Sequence, residues 1–431
     1  MIPFSNRKYW PLFWTQFLGA LNDNVLKNAM VLMITYQGLS IGGLDAPSIV
    51  ALSGGIFILP FFLFSMAAGQ IADKHEKSRL VRLVKIWEVL ITLVAAAGFF
   101  LHLVPLLLIA LFMMGTHSAF FGPIKYSALP ELVDPDQLVT ANAYVESGTF
   151  VAILLGTIGG AVTIAMPHGE LVSSAVVIIL AVLGLWTSLK IVKLPSAAVD
   201  LKIRYNPFTP VRDTMHLLGG IPSMVSSILV NSWFWFFGAA VLSILPPYCK
   251  DYLHVDQHVF STIFVMYTLG IGLGSLICGR LSNHRAELGL VPVGAVGLAI
   301  FLFDISLVEP QAMSAGLMPL SEFLHCGYAW RLLIDFLMMS VAGGIFILPL
   351  YTVLQERSGR EVRSRVIAGN NVINAIFMVV SAVAVMGLHV AGYSTPQTFR
   401  ALVITHVVFC TYTFWRVPEF VARLGAIFAA S

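Results

Sequence analysis

Long apolar runs, each closed by polar residues, glycine or proline, recur from one end of the chain to the other. A helix needs about 20 apolar residues to cross the hydrocarbon core of a bilayer. Runs of that kind predict spans near residues 10–37, 48–72, 79–101, 104–126, 138–166 and 171–191. A polar stretch with Pro195, Pro207 and Pro210 follows, and a second group of spans lies near 221–249, 259–281, 288–308, 330–355, 365–390 and 399–415. The pattern predicts an all-α polytopic membrane protein of twelve transmembrane helices, with one six-helix half at 1–192, a cytoplasmic linker at 193–220 and a second six-helix half at 221–431. These runs lack the short period-two alternation that marks a transmembrane barrel.

The two halves echo each other. Trp14, Gly19 and Ala20 match Trp233, Gly238 and Ala239 at one constant offset, and Gly69-Gln70-Ile71-Ala72-Asp73 matches Gly279-Arg280-Leu281-Ser282-Asn283. Met113, Met114, Tyr126 and Glu131 line up with Met338, Met339, Tyr351 and Glu356, and Ala141-Asn142 with Ala368-Gly369-Asn370. Matches in chain order are what a duplicated six-helix unit predicts. The identical segments 54–60 and 343–349 break that order, because they pair the second span with the tenth.

Composition agrees with the pattern: 58% of the 431 residues are hydrophobic and 11% charged, more apolar surface than a water-soluble packing can hide. The net charge of +3 is a topology signal here and no nucleic-acid footprint. One set of loops collects most basic residues, among them Arg7, Lys8, Lys74, Lys77, Arg79, Arg82, Lys85, Lys190, Lys193 and Arg363, whereas the opposite set holds Lys250, Arg331 and Arg400. The positive-inside rule then predicts that both termini and the linker are cytoplasmic. Cys249, Cys278, Cys326 and Cys410 lie far apart with no metal or redox spacing, so they read as buried free thiols. The first apolar stretch carries Asp23 and Lys27 and no small-residue cleavage site, which makes it a span and not a removed signal.

Ionisable residues inside spans cost about 2.5–3.5 kcal/mol each on insertion scales, so each needs a partner or a purpose. In the first span Gln16, Gly19, Asp23 and Lys27 recur at helical spacing, flanked by Asn22 and Asn24, and form a polar stripe. The plainer reading is that Asp23 and Lys27 neutralise each other at i, i+4, but it leaves Asn22 and Asn24 unexplained, so the stripe of Asn22, Asp23, Asn24 and Lys27 reads as the lining of a substrate cavity. The fourth span ends in Gly122-Pro123-Ile124-Lys125-Tyr126, and the fifth carries Asn142, Glu146 and Thr149 on one face. Lys125 can alternatively snorkel to lipid phosphate, and Glu146 can be a satisfied interhelical hydrogen bond. The seventh span has Val241-Leu242-Ser243 at the matching positions, so the candidate chemistry belongs to the first half. A cavity lined this way suits an amphiphile with a compact zwitterionic head and one tail: a phosphodiester on Lys125 or Lys27, an ammonium on Asp23 or Glu146.

Two resemblances extend this. The loop Gly69-Gln70-Ile71-Ala72-Asp73-Lys74, with Lys77 and Arg79 after it, resembles the loop signature of the major facilitator superfamily and implies that fold. By that resemblance Gly69, Asp73, Lys77 and Arg79 form a conformational latch; a solvated basic turn that only sets topology is the plainer reading. The segments 15–24, 120–126 and 141–149 resemble the lysophospholipid transporter (LplT) family of Gram-negative bacteria, closest to versions fused to or encoded beside an acyltransferase and acyl-carrier ligase. This implies an inner-membrane carrier that moves lysophosphatidylethanolamine and related lysolipids to the cytoplasmic leaflet for re-acylation by that partner enzyme. A departure is the uncharged segment 241–245, where some relatives carry a basic residue. No histidine has an aspartate five positions later and no phosphate loop is present, so the reading is a transporter, not an enzyme, without cofactor or metal, and a monomer. The alternatives are a proton-coupled exporter of hydrophobic drugs, with Asp23 or Glu146 as the titrating carboxylate, and a scaffold that docks a lipid-remodelling enzyme through residues 193–220.

Overall fold

The computed structural model of the chain describes residues 2, 6–204, 212, 221–282, 285–310 and 316–430. Most of the expected linker, with Pro207 and Pro210, lies outside the described residues, as does Asn283 of the internal repeat. Twelve long helices are described: α1 Tyr9–Tyr36, α2 Ala46–Lys74, α3 Lys77–Phe100, α4 Val104–Leu132, α5 Leu138–Ala165, α6 Gly169–Ser188, α7 Pro222–Pro247, α8 Gln257–Leu281, α9 Leu290–Ile305, α10 Ala329–Arg357, α11 Arg363–Val390 and α12 Thr395–Arg416. A shorter helix, α13 Glu419–Ala430, follows.

Among the described residues, nine helices are long and apolar enough to cross a membrane. The remaining three are α1, whose Asn22, Asp23, Asn24 and Lys27 lower its apolarity, α9, which is only 16 residues long, and α12, which carries Arg400 and His406 among several threonines. Side chains fix several helix starts. Asp45 accepts from the Ser48 N–H at 3.1 Å ahead of α2, Asp256 accepts from the N–H groups of His258 and Val259 ahead of α8, and Ser394 with Gln397 forms a reciprocal capping box on α12.

The chain forms two compact units: Met1–Leu218 with Leu354–Val372, and Gly219–Val353 with Ile373–Ser431. The segment Leu354–Val372, sequentially part of the second half, therefore belongs to the first unit. In the first unit α1 packs on α5 and α6, α2 on α4, and α3 on α4 and α6. Its apolar core gathers Leu26, Met30 and Met33 of α1, Ile91 and Phe99 of α3, Leu107, Leu111 and Met114 of α4, and Val177 of α6. Small residues set the closest approach. A Cβ at Gly156 would stand 2.6 Å from the Leu21 carbonyl oxygen, and one at Gly160 2.6 Å from that of Val25, so α5 lies against the bare backbone of α1.

The second unit repeats the device. A Cβ at Gly270 of α8 would meet the Leu337 carbonyl oxygen of α10 at 2.6 Å, and one at Gly274 would meet that of Val341 at 2.0 Å. Its interior is aromatic: Trp233 stacks on Phe236 and Phe409, and its indole N–H donates to His406 Nδ1 at 2.9 Å. His406 Nε2 then faces the Ala295 carbonyl at 3.0 Å, which assigns its proton to that nitrogen. The repeat partners Trp14 and Trp233 have opposite surroundings, the first 47% exposed and the second 8%. All four cysteines are buried and free.

Candidate functional site

Gln16 and Asp23 lie seven residues apart on α1, as do Ser118 and Lys125 on α4, so each pair occupies one helix face with about 10.5 Å between its members. Two rungs join these faces. Ser118 Oγ donates to Asp23 Oδ2 at 2.7 Å, and Lys125 Nζ donates to Gln16 Oε1 at 3.5 Å, in the reversed order that antiparallel helices require. Helix α5 closes the third side: Thr149 Oγ1 donates to Gln16 Oε1 at 3.0 Å, and the Tyr126 hydroxyl donates to Glu146 Oε1. The Lys125 ammonium also sits 4.7 Å from the centre of the Tyr126 ring. Asp23, Lys125 and Glu146 thus share one polar seam across α1, α4 and α5, with Glu146 buried and the other two half-buried.

Within that seam Asp23 is under-satisfied: Oδ1 is buried and has no hydrogen-bond partner among the described residues. A buried carboxylate oxygen without a donor is costly, so it is the atom of the seam with most to gain from a ligand ammonium. Lys27 is half-buried one turn further along the stripe, but the hydrogen-bond partner of Asp23 is Ser118 and no ion pair joins Asp23 to Lys27. The remaining asparagines point elsewhere. Asn24 donates to the Ala20 carbonyl of its own helix at 2.8 Å. Asn142 exchanges two hydrogen bonds with Gln355, at 2.7 and 2.9 Å.

Asn22 leads to a group that sequence reasoning missed. Its amide donates to Glu88 Oε1 at 2.8 Å, and Glu88 Oε2 takes the Lys85 ammonium at 2.5 Å and faces His117 Nε2 at 3.2 Å. Asn22, Lys85 and Glu88 are fully buried, and His117 is nearly so. Lys85, counted by sequence among the cytoplasmic loop charges, is instead an interior residue of α3. The reason is packing: the ammonium lies 2.6 Å from where a Gly19 Cβ would be and 5.1 Å from the Phe121 ring centre, space that a larger residue at 19 would fill. This quartet abuts the seam at both ends of one hydrogen bond. Asn22 precedes Asp23, and His117 precedes Ser118, so the buried ion pair holds the two helices that carry the Asp23–Ser118 rung.

The latch candidates divide. Asp73 is fully buried and its carboxylate accepts from the Ser364 N–H at 3.0 Å, the Arg365 N–H at 3.3 Å and Arg365 Nε at 3.0 Å, so it caps the N-terminus of α11 and pairs with a base there. Gly69 makes this approach possible, since a Cβ would stand 2.6 Å from that of Ala368 and 2.8 Å from the Ser364 carbonyl oxygen. Lys77, also buried, binds Glu131 at 2.6 Å, and Arg360 reaches the other oxygen of the same carboxylate at 3.0 Å. Arg79 is exposed and joins none of these contacts. The backbone carbonyl of Asp73 accepts from the N–H groups of Ala197 and Ala198, which ties down the chain leaving α6.

With this geometry in hand, comparison with known proteins places the chain. The profile of the Major Facilitator Superfamily matches residues 12–382. The chain is 28% identical over 352 residues to a lysophospholipid transporter LplT of Klebsiella pneumoniae, a match covering 80% of each chain. It is 26% identical over 354 residues to the LplT of Cronobacter sakazakii, again with 80% of each covered. Among solved structures, the human organic anion transporter MFSD10 superposes with a TM-score of 0.74 at 13% identity, covering 94% of this chain and 99% of that one. The Escherichia coli fucose:proton symporter FucP superposes with a TM-score of 0.70 at 13% identity, covering 95% and 98%. At such identities the two structures speak for the fold alone.

Proposed function

The chain belongs to the Major Facilitator Superfamily, and from that premise we propose that it carries lysophospholipids from the outer to the cytoplasmic leaflet of a bacterial inner membrane. The seam of Asp23, Lys125 and Glu146 supports this reading, because it presents carboxylates and an ammonium within one six-helix bundle, about 10.5 Å apart between Asp23 and Lys125 along the helix axes. A zwitterionic head group offers the complementary pair. Its phosphodiester is received by Lys125 or Lys27, and its ammonium by the open oxygen of Asp23 or by Glu146. The similarity to transporters named for lysophospholipids supports the same substrate class.

In this proposal transport is by alternating access, and the contacts of Asp73 with the start of α11 are the ones made and broken between access states. Lys77 acts on the same surface through Glu131. The distribution of basic residues supports cytoplasmic termini, so the delivered lysolipid is placed where an acyltransferase with its acyl-carrier ligase can re-acylate it. The protein works as a monomer. A fixed ammonium at Lys125 disfavours the rival reading, an exporter of cationic drugs.

The test is direct. Purified protein in proteoliposomes, given labelled lysophosphatidylethanolamine on one side, is expected to accelerate its movement over protein-free vesicles, and Asp23→Asn to abolish that acceleration. Wild-type protein that leaves the lipid where it was added, or that instead expels cationic dyes on an imposed proton gradient, would sink the proposal.

A further inference from the structure

Away from the seam, helices α1 and α6 of the first unit flank a groove of about 580 Å³. Its walls are apolar and aromatic, with Trp10 and Trp14 from α1, and Leu183 and Trp186 from α6. Its mouth is basic: Arg7 stands just before α1 begins and Lys190 just after α6 ends. Among the described residues, none that lines it is acidic. The Lys190 ammonium lies 3.3 Å from the centre of the Trp186 ring, so the cation is held at the rim over an aromatic face. Arg7 is exposed and has no ion pair or hydrogen bond among the described residues. Thr15 and Thr187 join α1 to α6 by a hydroxyl contact of 3.0 Å at the base of the groove, and Asn6 Oδ1 accepts from the N–H groups of Lys8 and Tyr9 beside the mouth.

We propose that this groove binds an anionic glycerophospholipid of the leaflet it faces, with the phosphate between Arg7 and Lys190 and one acyl chain along the tryptophans. Three features carry the assignment. The volume lies in the range of pockets that enclose a small ligand and suits one chain, not a folded partner. Two cations without a competing carboxylate match a phosphate that bears a net negative charge, whereas a zwitterionic head brings its own ammonium toward them. Tryptophans at the end of a span are placed where head groups meet acyl chains. The groove therefore differs from the seam in ligand: the seam has carboxylates for an ammonium and the groove has none. The inference does not depend on what the seam carries, although its placement in the cytoplasmic leaflet rests on the orientation proposed above.

The experiment separates the two sites. Full-length protein is exposed in detergent to equal amounts of phosphatidylglycerol and phosphatidylcholine with identical chains, and the retained lipid is counted by native mass spectrometry. Each basic residue near a membrane surface adds enough attraction that a preference of about tenfold for phosphatidylglycerol is expected. The preference should fall to near parity in Arg7→Gln/Lys190→Gln, a change confined to the ends of α1 and α6. A second measurement needs no variant: in nanodiscs, phosphatidylglycerol with brominated chains should quench tryptophan emission more than brominated phosphatidylcholine at the same mole fraction. Equal retention of the two lipids by wild type, equal quenching, or a preference that survives the double substitution would each overturn the proposal, whatever the transport assay returns.

Discussion

Asp23 and Asp73 belong to the same unit and both lie in long helices, yet their carboxylates are treated in opposite ways. Asp73 receives two backbone N–H groups and a guanidinium from the first turn of α11, whereas Asp23 receives one serine hydroxyl and keeps one oxygen without a partner among the described residues. A carboxylate whose lone pairs are already occupied can hold a structure together or release it, but has little left for a ligand. A carboxylate left short of donors in a polar seam has the reverse profile. The difference is what the proposed roles of the two residues, a joint at Asp73 and a binding group at Asp23, rest on.

The comparison can be broken or sharpened by substitution. The largest effect is expected where the Asp23 side is braced: Lys85→Met leaves buried Glu88 without its ammonium and should cost about 3–5 kcal/mol in unfolding measured in detergent. The double change Lys85→Met/Glu88→Leu should recover most of it, and failure to recover would mean that the pair does more than neutralise itself. Next, Asp23→Asn keeps the shape and removes the charge. Lysolipid transport should drop about 100-fold, on the order of 3 kcal/mol, with the melting temperature nearly unchanged; a large loss of stability would move Asp23 into the structural class. Third, Asp73→Asn puts an amide against N–H donors and should slow transport roughly tenfold while lysolipid binding stays intact, a coupling of about 1–2 kcal/mol. Equal loss of binding would erase the contrast. Smallest, Arg79→Ala should change transport and unfolding by less than about 0.5 kcal/mol, because an exposed side chain with no ion pair or hydrogen bond among the described residues has little to lose.

Helices were the most legible part of the sequence, because a bilayer demands long apolar runs and the chain supplies them. The expected spans and the observed helices differ mainly at their ends: α2 begins at Ala46 and not 48, and α9 stops at Ile305 and not 308. Asp73, Gly69, Lys125 and Glu146 stand out in the sequence by type and position, since few polar residues occur in these runs, and the structure gives each of them interhelical contacts. The Lys85–Glu88–His117 group was not. Lys85 ends a series of bases at 77, 79, 82 and 85 that reads as one cytoplasmic ramp, although the helix has by then turned it inward. A signal did exist: Glu88 stands in an apolar run at i+3 from a lysine, and His117 stands alone in another. The partner of Asn142 was illegible for the opposite reason. The spacing of Asn142 with Glu146 is right for one face, but its partner Gln355 is more than two hundred residues away in sequence, a contact that no local pattern encodes.

Asp73 touches two neighbours through two chemically different ends. Its side chain engages α11, and its main-chain oxygen secures Ala197 and Ala198. Mutation can erase the first attachment and not the second, because every amino acid brings the same carbonyl. A variant at this position therefore loosens one strap and leaves the other buckled, which makes residue 73 a place where the hold on α11 can be retuned without cutting the chain's mooring beyond α6.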